Sequence, residues 1–316
     1  MAKFLFTLMQ HSEVGKRSLE DVIGICIHQL RALGHWARWD PQNDLQPTPM
    51  LCHGPDEYNI IVEGFTPGFI DFIAKAKAQL GAKFICLATE EPTDQGFNYG
   101  LQGGMAERQA LFGEAMRHFE GILHLVPGER ITKWYSQFGI PAAQTELGYS
   151  SYLVFPETQR GEPPFDFGFY GSLTPRREEL LLRLSKRAGR KIRIVNDFKT
   201  AEERNRAMQE AKVVLQVRKE SAMGLISSSR CNTALHIGRP VIAEPHDVDL
   251  SQNWSDVVRI AKTEEDFINL AILTARRWRD AHAMQLERFK KRLTPAYCIG
   301  EPLARIGITG GARKAA

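Results

Sequence analysis

The chain of 316 residues is 43% hydrophobic and 25% charged, a balance that builds one large or two ordinary globular cores and excludes a disordered or fibrous protein. Forty-one basic against thirty-seven acidic side chains leave a net charge of +4, which suits anionic ligands and falls well short of a dedicated nucleic-acid binder. No apolar run approaches the ~20 residues of a membrane-spanning helix, and the first residues enter a strand-like run where a signal peptide would have its h-region, so the expected location is cytoplasmic.

Taken in chain order, apolar runs alternate with amphipathic segments almost from end to end, the pattern of parallel sheets covered by helices. In the first half, strands are expected over 3–9, 35–39, 59–62, 83–88, 121–125 and 144–147, with helices in the gaps. Ser18 with Asp21 resembles a capping box for a helix running to Gly34, and Pro67 opens another that stops at Gly81. The polar, proline-rich segment 157–165 reads as a linker. The alternation then restarts with strand 166–170, helix 175–187, strand 191–195, helix 201–211 and strand 212–217. Helix 227–237, strands 240–243 and 257–260, and one long helix over 263–293 complete the pattern. The expected organisation is an N-terminal Rossmann-like domain over 1–156, the linker, and a second Rossmann-like domain over 166–293. Residues 294–316 then cross back to the first domain and end in a disordered tail.

Two doubly wound α/β domains facing a central cleft would place ligands beyond the C-terminal ends of their strands, so strand-end residues are the candidates for chemistry. One stretch runs from Phe169 through Gly171, Ser172, Thr174 and Pro175 to Arg176 and Arg177. There a strand ends, a helix starts, and two arginines occupy the positive end of the helix dipole. An anion shared between them and the free N–H groups would account for that placement; arginines in water or paired with Glu178 and Glu179 would account for it too. A second stretch carries Lys219 and Glu220 in a loop, then Ser227, Ser228 and Ser229 opening a helix with Arg230 in its first turns. An ordinary serine cap with a spare cation is the alternative there. Asn232, Thr233 and the strand-end Glu244 continue this stretch.

These residues resemble the C-terminal domain of GT-B glycosyltransferases, in particular the family-4-like and CgeB-like members. The first resemblance is a GS-x-x-x-R-R turn, here Gly171-Ser172 with Arg176-Arg177. The second is the helix-to-strand segment R-x-x-E-A-L-A-x-G-x-P-V-I-x-E, here Arg230 to Glu244 through Gly238, Pro240, Val241 and Ile242. The likeness spans roughly 166–293 and implies a nucleotide-sugar donor held by the second domain. Gly171, Ser172 and Arg176 would then be near the diphosphate and nucleotide, and Lys219 and Glu220 near phosphate and hydroxyls. Thr233 stands where the family commonly has glutamate. The implied activity is transfer of a sugar to a hydroxyl of a glycan or lipid-linked glycan, as in polysaccharide biosynthesis, with no cofactor beyond the donor substrate.

For a base, the first half offers His11 and Glu13 after strand 3–9, Glu63 after 59–62, and Glu90-Glu91 after 83–88. Neighbouring glutamates point to opposite sides of an extended chain, so one of the two faces the ligand side. Glu90 and Glu63 rank ahead of His11, because a desolvated carboxylate rises toward neutral pKa. The glycine-rich stretch 92–104 reads either as a cover for an acceptor or as a plain surface loop. Asp247-Val248-Asp249 reads as exposed loop carboxylates in preference to a metal motif. The histidines lack zinc spacing, and five scattered cysteines (Cys26, Cys52, Cys86, Cys231, Cys298) read as reduced packing residues. Fingerprints of dinucleotide, P-loop and serine-hydrolase sites are absent. The basic stretch at Arg276–Arg292 reads as a solvated helix face or a peripheral contact with an anionic membrane. A nucleotide-sugar epimerase and a non-catalytic sugar-nucleotide or polyanion-binding module remain alternatives on this scaffold.

Overall fold

The computed structural model describes residues 1–46, 49–100, 103–151, 161–221, 224–247 and 252–308. They fall into two compact units, Met1–Leu147 with Pro295–Ala316, and Gly148–Thr294. Residues 157–160 of the expected linker, the expected tail from 310 and Asp249 lie outside the described residues.

In chain order the first unit runs β1 (Lys3–Thr7), α1 (Glu13–Ala32), β2 (Trp36–Trp39), β3 (Glu57–Val62), α2 (Pro67–Leu80) and β4 (Phe84–Ala88). A hairpin of β5 (Pro92–Thr93) and β6 (Gly96–Phe97) follows, then α3 (Met105–Met116), β7 (Gly121–His124), α4 (Glu129–Ser136) and β8 (Ala142–Gln144). Six strands form one sheet in the order β2-β1-β3-β4-β7-β8. Each neighbouring pair is parallel, and β4 and β7 are buried along their whole length, which is why they read as unbroken apolar runs. The chain goes from β1 to one neighbour, β2, and returns to its other side as β3. The winding therefore reverses between β1 and β3, where open α/β sheets collect ligands at the strand C-termini.

The second unit repeats this plan. It comprises β9 (Phe165–Tyr170), α5 (Pro175–Ala188), β10 (Ile192–Val195), α6 (Ala201–Gln209), β11 (Ala211–Gln216), α7 (Ser228–His236), β12 (Val241–Ala243), α8 (Gln252–Ser255), β13 (Arg259–Ile260), α9 (Glu264–Arg276) and α10 (Trp278–Arg292). Its parallel sheet has the order β10-β9-β11-β12-β13, so the reversal lies between β9 and β11. Phe167, Phe169, Val213 and Leu215 pack against Leu180, Leu181 and Leu184 of α5 and Phe267 and Ile268 of α9.

Local signals set most boundaries. Thr66 caps α2, Pro67 starts it and Gly81, at φ 65°, ends it. Thr174, Pro175 and Gly189 do the same for α5. Three expectations are corrected. Helix α1 starts at Glu13, capped by Ser12, so Ser18 lies inside it and is no cap. The last strand of the first unit is Ala142–Gln144 and not 144–147. Beyond it the chain turns to another partner: Thr145 Oγ1 donates to the Cys298 carbonyl at 2.6 Å and Glu146 N to the same oxygen at 3.1 Å. The expected single helix over 263–293 is two, broken at Arg277, whose ψ of 41° leaves the helical range. The returning C-terminal segment, with a short helix α11 (Glu301–Arg305), is part of the first unit. Among the described residues no helix is long and apolar enough to cross a membrane.

Candidate functional site

In the first unit, β1 and β3 deliver their following residues to the reversal point. His11 follows β1; its amide bonds the Leu8 carbonyl at 2.8 Å and its Nε2 lies 3.4 Å from the Val62 carbonyl. Its ring occupies the space beside Gly64, where φ is 122° and a Cβ would come within 2.8 Å of His11 Cε1. Only glycine allows this approach. Burial lowers the His11 pKa, and the Arg108 charge adds to that while Glu90 opposes it.

Glu63, immediately after β3, is 2% exposed. Its Oε1 accepts from the Thr89 amide at 2.7 Å and from the Thr89 hydroxyl, whereas Oε2 is buried with no hydrogen-bond partner among the described residues. Burial, and next the charge of Glu90, push its pKa up to about 8. Glu63 is therefore mostly protonated at neutral pH. Glu90 lies beyond β4, 3.5 Å from Arg108 Nη2, with Asn98 Nδ2 donating to its carboxylate and the Tyr135 hydroxyl donating to its carbonyl at 2.9 Å. Asn98 and Tyr99 hold positive φ, 51° and 62°, a strained pair fixed by the Glu91–Asn98 backbone and side-chain bonds. His11, Glu63 and Glu90 thus share one electrostatic cluster with Arg108.

The neighbouring carboxylates separate as the extended backbone requires. Glu91 is fully buried and bonds the Tyr99 hydroxyl and Arg130 Nη2, both at 3.1 Å. The like charge that raises Glu63 comes from Glu90. Glu13 is exposed on the first turn of α1 and pairs with Lys16 at 3.0 Å.

In the second unit, Gly171 ends β9 with φ 126°, and a Cβ there would lie 3.2 Å from Arg230 Nη2. Arg176 is already neutralised. It grips both oxygens of the fully buried Glu244, reaches Glu264 at 3.2 Å and donates to the Arg218 carbonyl at 3.2 Å. Its partners are Glu244 and Glu264, not Glu178 or Glu179. Glu244 also accepts from the Arg218 amide.

Arg177 and Arg230, 6% and 9% exposed, bond neutral acceptors among the described residues. Arg177 donates to the Ser172 carbonyl at 2.7 Å and the Val217 carbonyl at 2.9 Å, tying the end of β9 to that of β11, with its plane 5.2 Å from the Phe169 ring. Burial, then the Arg230 charge, lower its pKa to about 10. Arg230 donates to Gln216 Oε1, lies 5.1 Å over the Tyr170 ring, and keeps a buried Nε with no hydrogen-bond partner among the described residues.

The serines at the start of α7 divide their roles. Ser227 caps the helix by accepting from the Arg230 amide, Ser228 accepts from Trp254 Nε1 at 3.1 Å, and Ser229 Oγ lies 3.4 Å from Ser227 Oγ. Asn232 donates to the Gly148 carbonyl at 3.0 Å, and Thr233 is buried. Lys219 and Glu220 are half-buried; the Lys219 carbonyl accepts from Thr174 Oγ1 at 3.0 Å, and the Glu220 charge acts on both Arg176 and Arg177. Asp247 is exposed.

His246, which sequence reasoning set aside as a non-ligand, belongs with this set. Its Nδ1 faces the Glu244 carbonyl and its Nε2 is buried with no hydrogen-bond partner among the described residues. Burial lowers its pKa to about 4, so the ring is neutral. An Nδ1 beside a carbonyl must carry the proton, which leaves Nε2 as the acceptor nitrogen. Gln216 and Arg108 were likewise not singled out. Among the described residues no group of three or more His, Cys, Asp or Glu is placed to hold a metal ion.

No family model and no curated protein matches this sequence. Solved structures do. HepE of Anabaena, determined with UDP-glucose, superposes with a TM-score of 0.57 at 9% identity over 97% of this chain and 100% of that one. AviGT4, a glycosyltransferase involved in avilamycin A biosynthesis, gives 0.54 at 11% over 98% and 99%. The fold is the GT-B fold. TarM gives a TM-score of 0.56 at 11% identity over 89% of this chain, which spans only 57% of TarM's length. At such identities what is shared is the GT-B architecture of two Rossmann-like domains, and the chemistry rests on this chain's own side chains.

Proposed function

We propose that this chain is a metal-independent glycosyltransferase that moves a sugar from a nucleotide-sugar donor to a hydroxyl of a glycan or lipid-linked glycan. The observation that carries this reading is the pair of buried guanidinium groups, Arg177 and Arg230, with which no carboxylate among the described residues forms an ion pair. A buried charge is costly unless an opposite one meets it, and the pair sits at the strand ends where doubly wound sheets bind ligands. A diphosphate supplies that charge. Arg230 and the free amides opening α7 would hold it, with Gly171 and Ser172 allowing close approach. Lys219 and Glu220 border the same site. HepE's complex with UDP-glucose makes that donor the first to try.

In the transfer, the sugar–phosphate C–O bond breaks and the diphosphate leaves with its electron pair, stabilised by Arg230 and the helix amides. The acceptor oxygen bonds the anomeric carbon, and its proton passes to Glu90, the partly exposed carboxylate of the first-unit cluster. Glu63 holds a proton beside it and Arg108 orients the pair. The basic end of α10, with Arg288 and Lys291 exposed, would attract an anionic membrane carrying a lipid-linked acceptor.

The test is donor consumption by the full chain, followed chromatographically with UDP-glucose and other nucleotide sugars, for the wild type and Glu90→Gln. Glu90→Gln should retain donor affinity and lose on the order of 10²–10⁴ in turnover, the range for a general base. Full turnover in the variant would remove Glu90 from the role.

A further inference from the structure

Away from the His11–Glu63–Glu90 cluster, the first unit carries a surface groove of about 520 Å³ between the β5–β6 hairpin, α3 and α4. Ligand sites typically span ~300–1,000 Å³. Trp134 and Phe138 form one wall, packed edge to face with centroids 5.1 Å apart. Asp94 and Gln95 of the hairpin, Gln109 of α3 and Gln137 complete its polar lining.

Three features define the ligand. The aromatic wall offers apolar ring surface to a flat C–H face. The amides and the carboxylate are planar groups able to bond neighbouring hydroxyls in pairs. Gln109 frames the hairpin side of the groove, its Nε2 fixed on the Thr93 carbonyl at 3.1 Å. No lysine or arginine lines the groove, so phosphates and nucleotides find no countercharge in it.

We propose that this groove binds a short neutral oligosaccharide, stacked on Trp134 and Phe138 with its hydroxyls bonded to the exposed side chains of Asp94, Gln95 and Gln137. The site is independent of the transfer reading, since none of its lining residues belongs to either strand-end cluster. Binding and turnover can fail separately.

The experiment uses the full chain with maltotriose, cellotriose, mannotriose and chitotriose, read by saturation-transfer NMR and by tryptophan fluorescence. At least one trisaccharide is expected to bind, and Ala110→Arg to weaken it at least roughly tenfold. Ala110 lines the groove from an exposed position on α3, so the substitution fills the groove without entering the core. Gln137→Arg, also at an exposed position, repeats the test if Ala110→Arg lowers the melting temperature. Three results overturn the proposal: no trisaccharide bound at millimolar concentration, binding unchanged in both arginine variants, or a wild-type dimer that either variant dissociates and that binds no sugar.

Discussion

Glu63 is the residue whose environment makes the sharpest physical demand. It is a buried carboxyl whose unpartnered Oε2 costs more when ionised than when protonated. Its folded pKa of about 8 stands above the ordinary 4.5, so the unfolded chain loses this proton first as pH rises. Below about pH 4.5 the group makes no difference to stability. Through the window from there to about 8, native stability falls, and above it the loss is complete. Glu63→Gln keeps an acceptor for Thr89 and removes the titration. Chemical denaturation across pH should find the variant gaining on the wild type by on the order of 2–4 kcal/mol between pH 4 and pH 9. Parallel stability profiles would contradict the assigned environment. The same reasoning explains what could be read beforehand. Glu63, Glu90 and His11 were visible as polar residues ending apolar strands, while Arg108, Gln216 and His246 gain their roles only from partners that folding brings to them.

At the scale of elements, what was legible followed the range of the forces involved. Thr66, Thr174, Thr200 and Thr263 each cap a helix by bonding an amide three residues on, a local interaction that the sequence spells out. The misplaced ends are tertiary. Strand β8 stops early because Thr145 and Glu146 bond the returning segment at Cys298, and the α9–α10 break precedes Trp278, which is buried and stacked 4.6 Å from Arg239. The start of α5 shows the same division. Two arginines in its first turn were readable as an anion site, yet folding gives them different work: Arg176 neutralises Glu244, and Arg177 ties β9 to β11. Removing Arg176 leaves Glu244 fully buried with Arg218 as its remaining charged partner, 3.6 Å away. Arg176→Ala should therefore destabilise the chain by about 1–3 kcal/mol, as for the loss of a charge-assisted bond to a buried group. Urea titration checks this, and a variant as stable as the wild type would show that Glu244 needs no such partner.

Across the whole molecule, one winding plan occurs twice, and in each unit the reversal point carries a positive-φ glycine against a functional side chain: Gly64 beside His11, and Gly171 beside Arg230. The first unit assembles titratable groups, and the second assembles two buried guanidinium groups that form no ion pair among the described residues. That division of labour is the central claim, and it turns on whether the second unit's uncompensated charge is meant for a diphosphate. Isothermal titration of the full chain with UDP-glucose, UDP and other nucleoside diphosphates, wild type against Arg230→Ala, tests it most directly. The predicted outcome is binding of at least one of them that weakens by about 1–3 kcal/mol in a folded Arg230→Ala variant. Binding of equal strength in the two proteins, or none to the wild type, would contradict it.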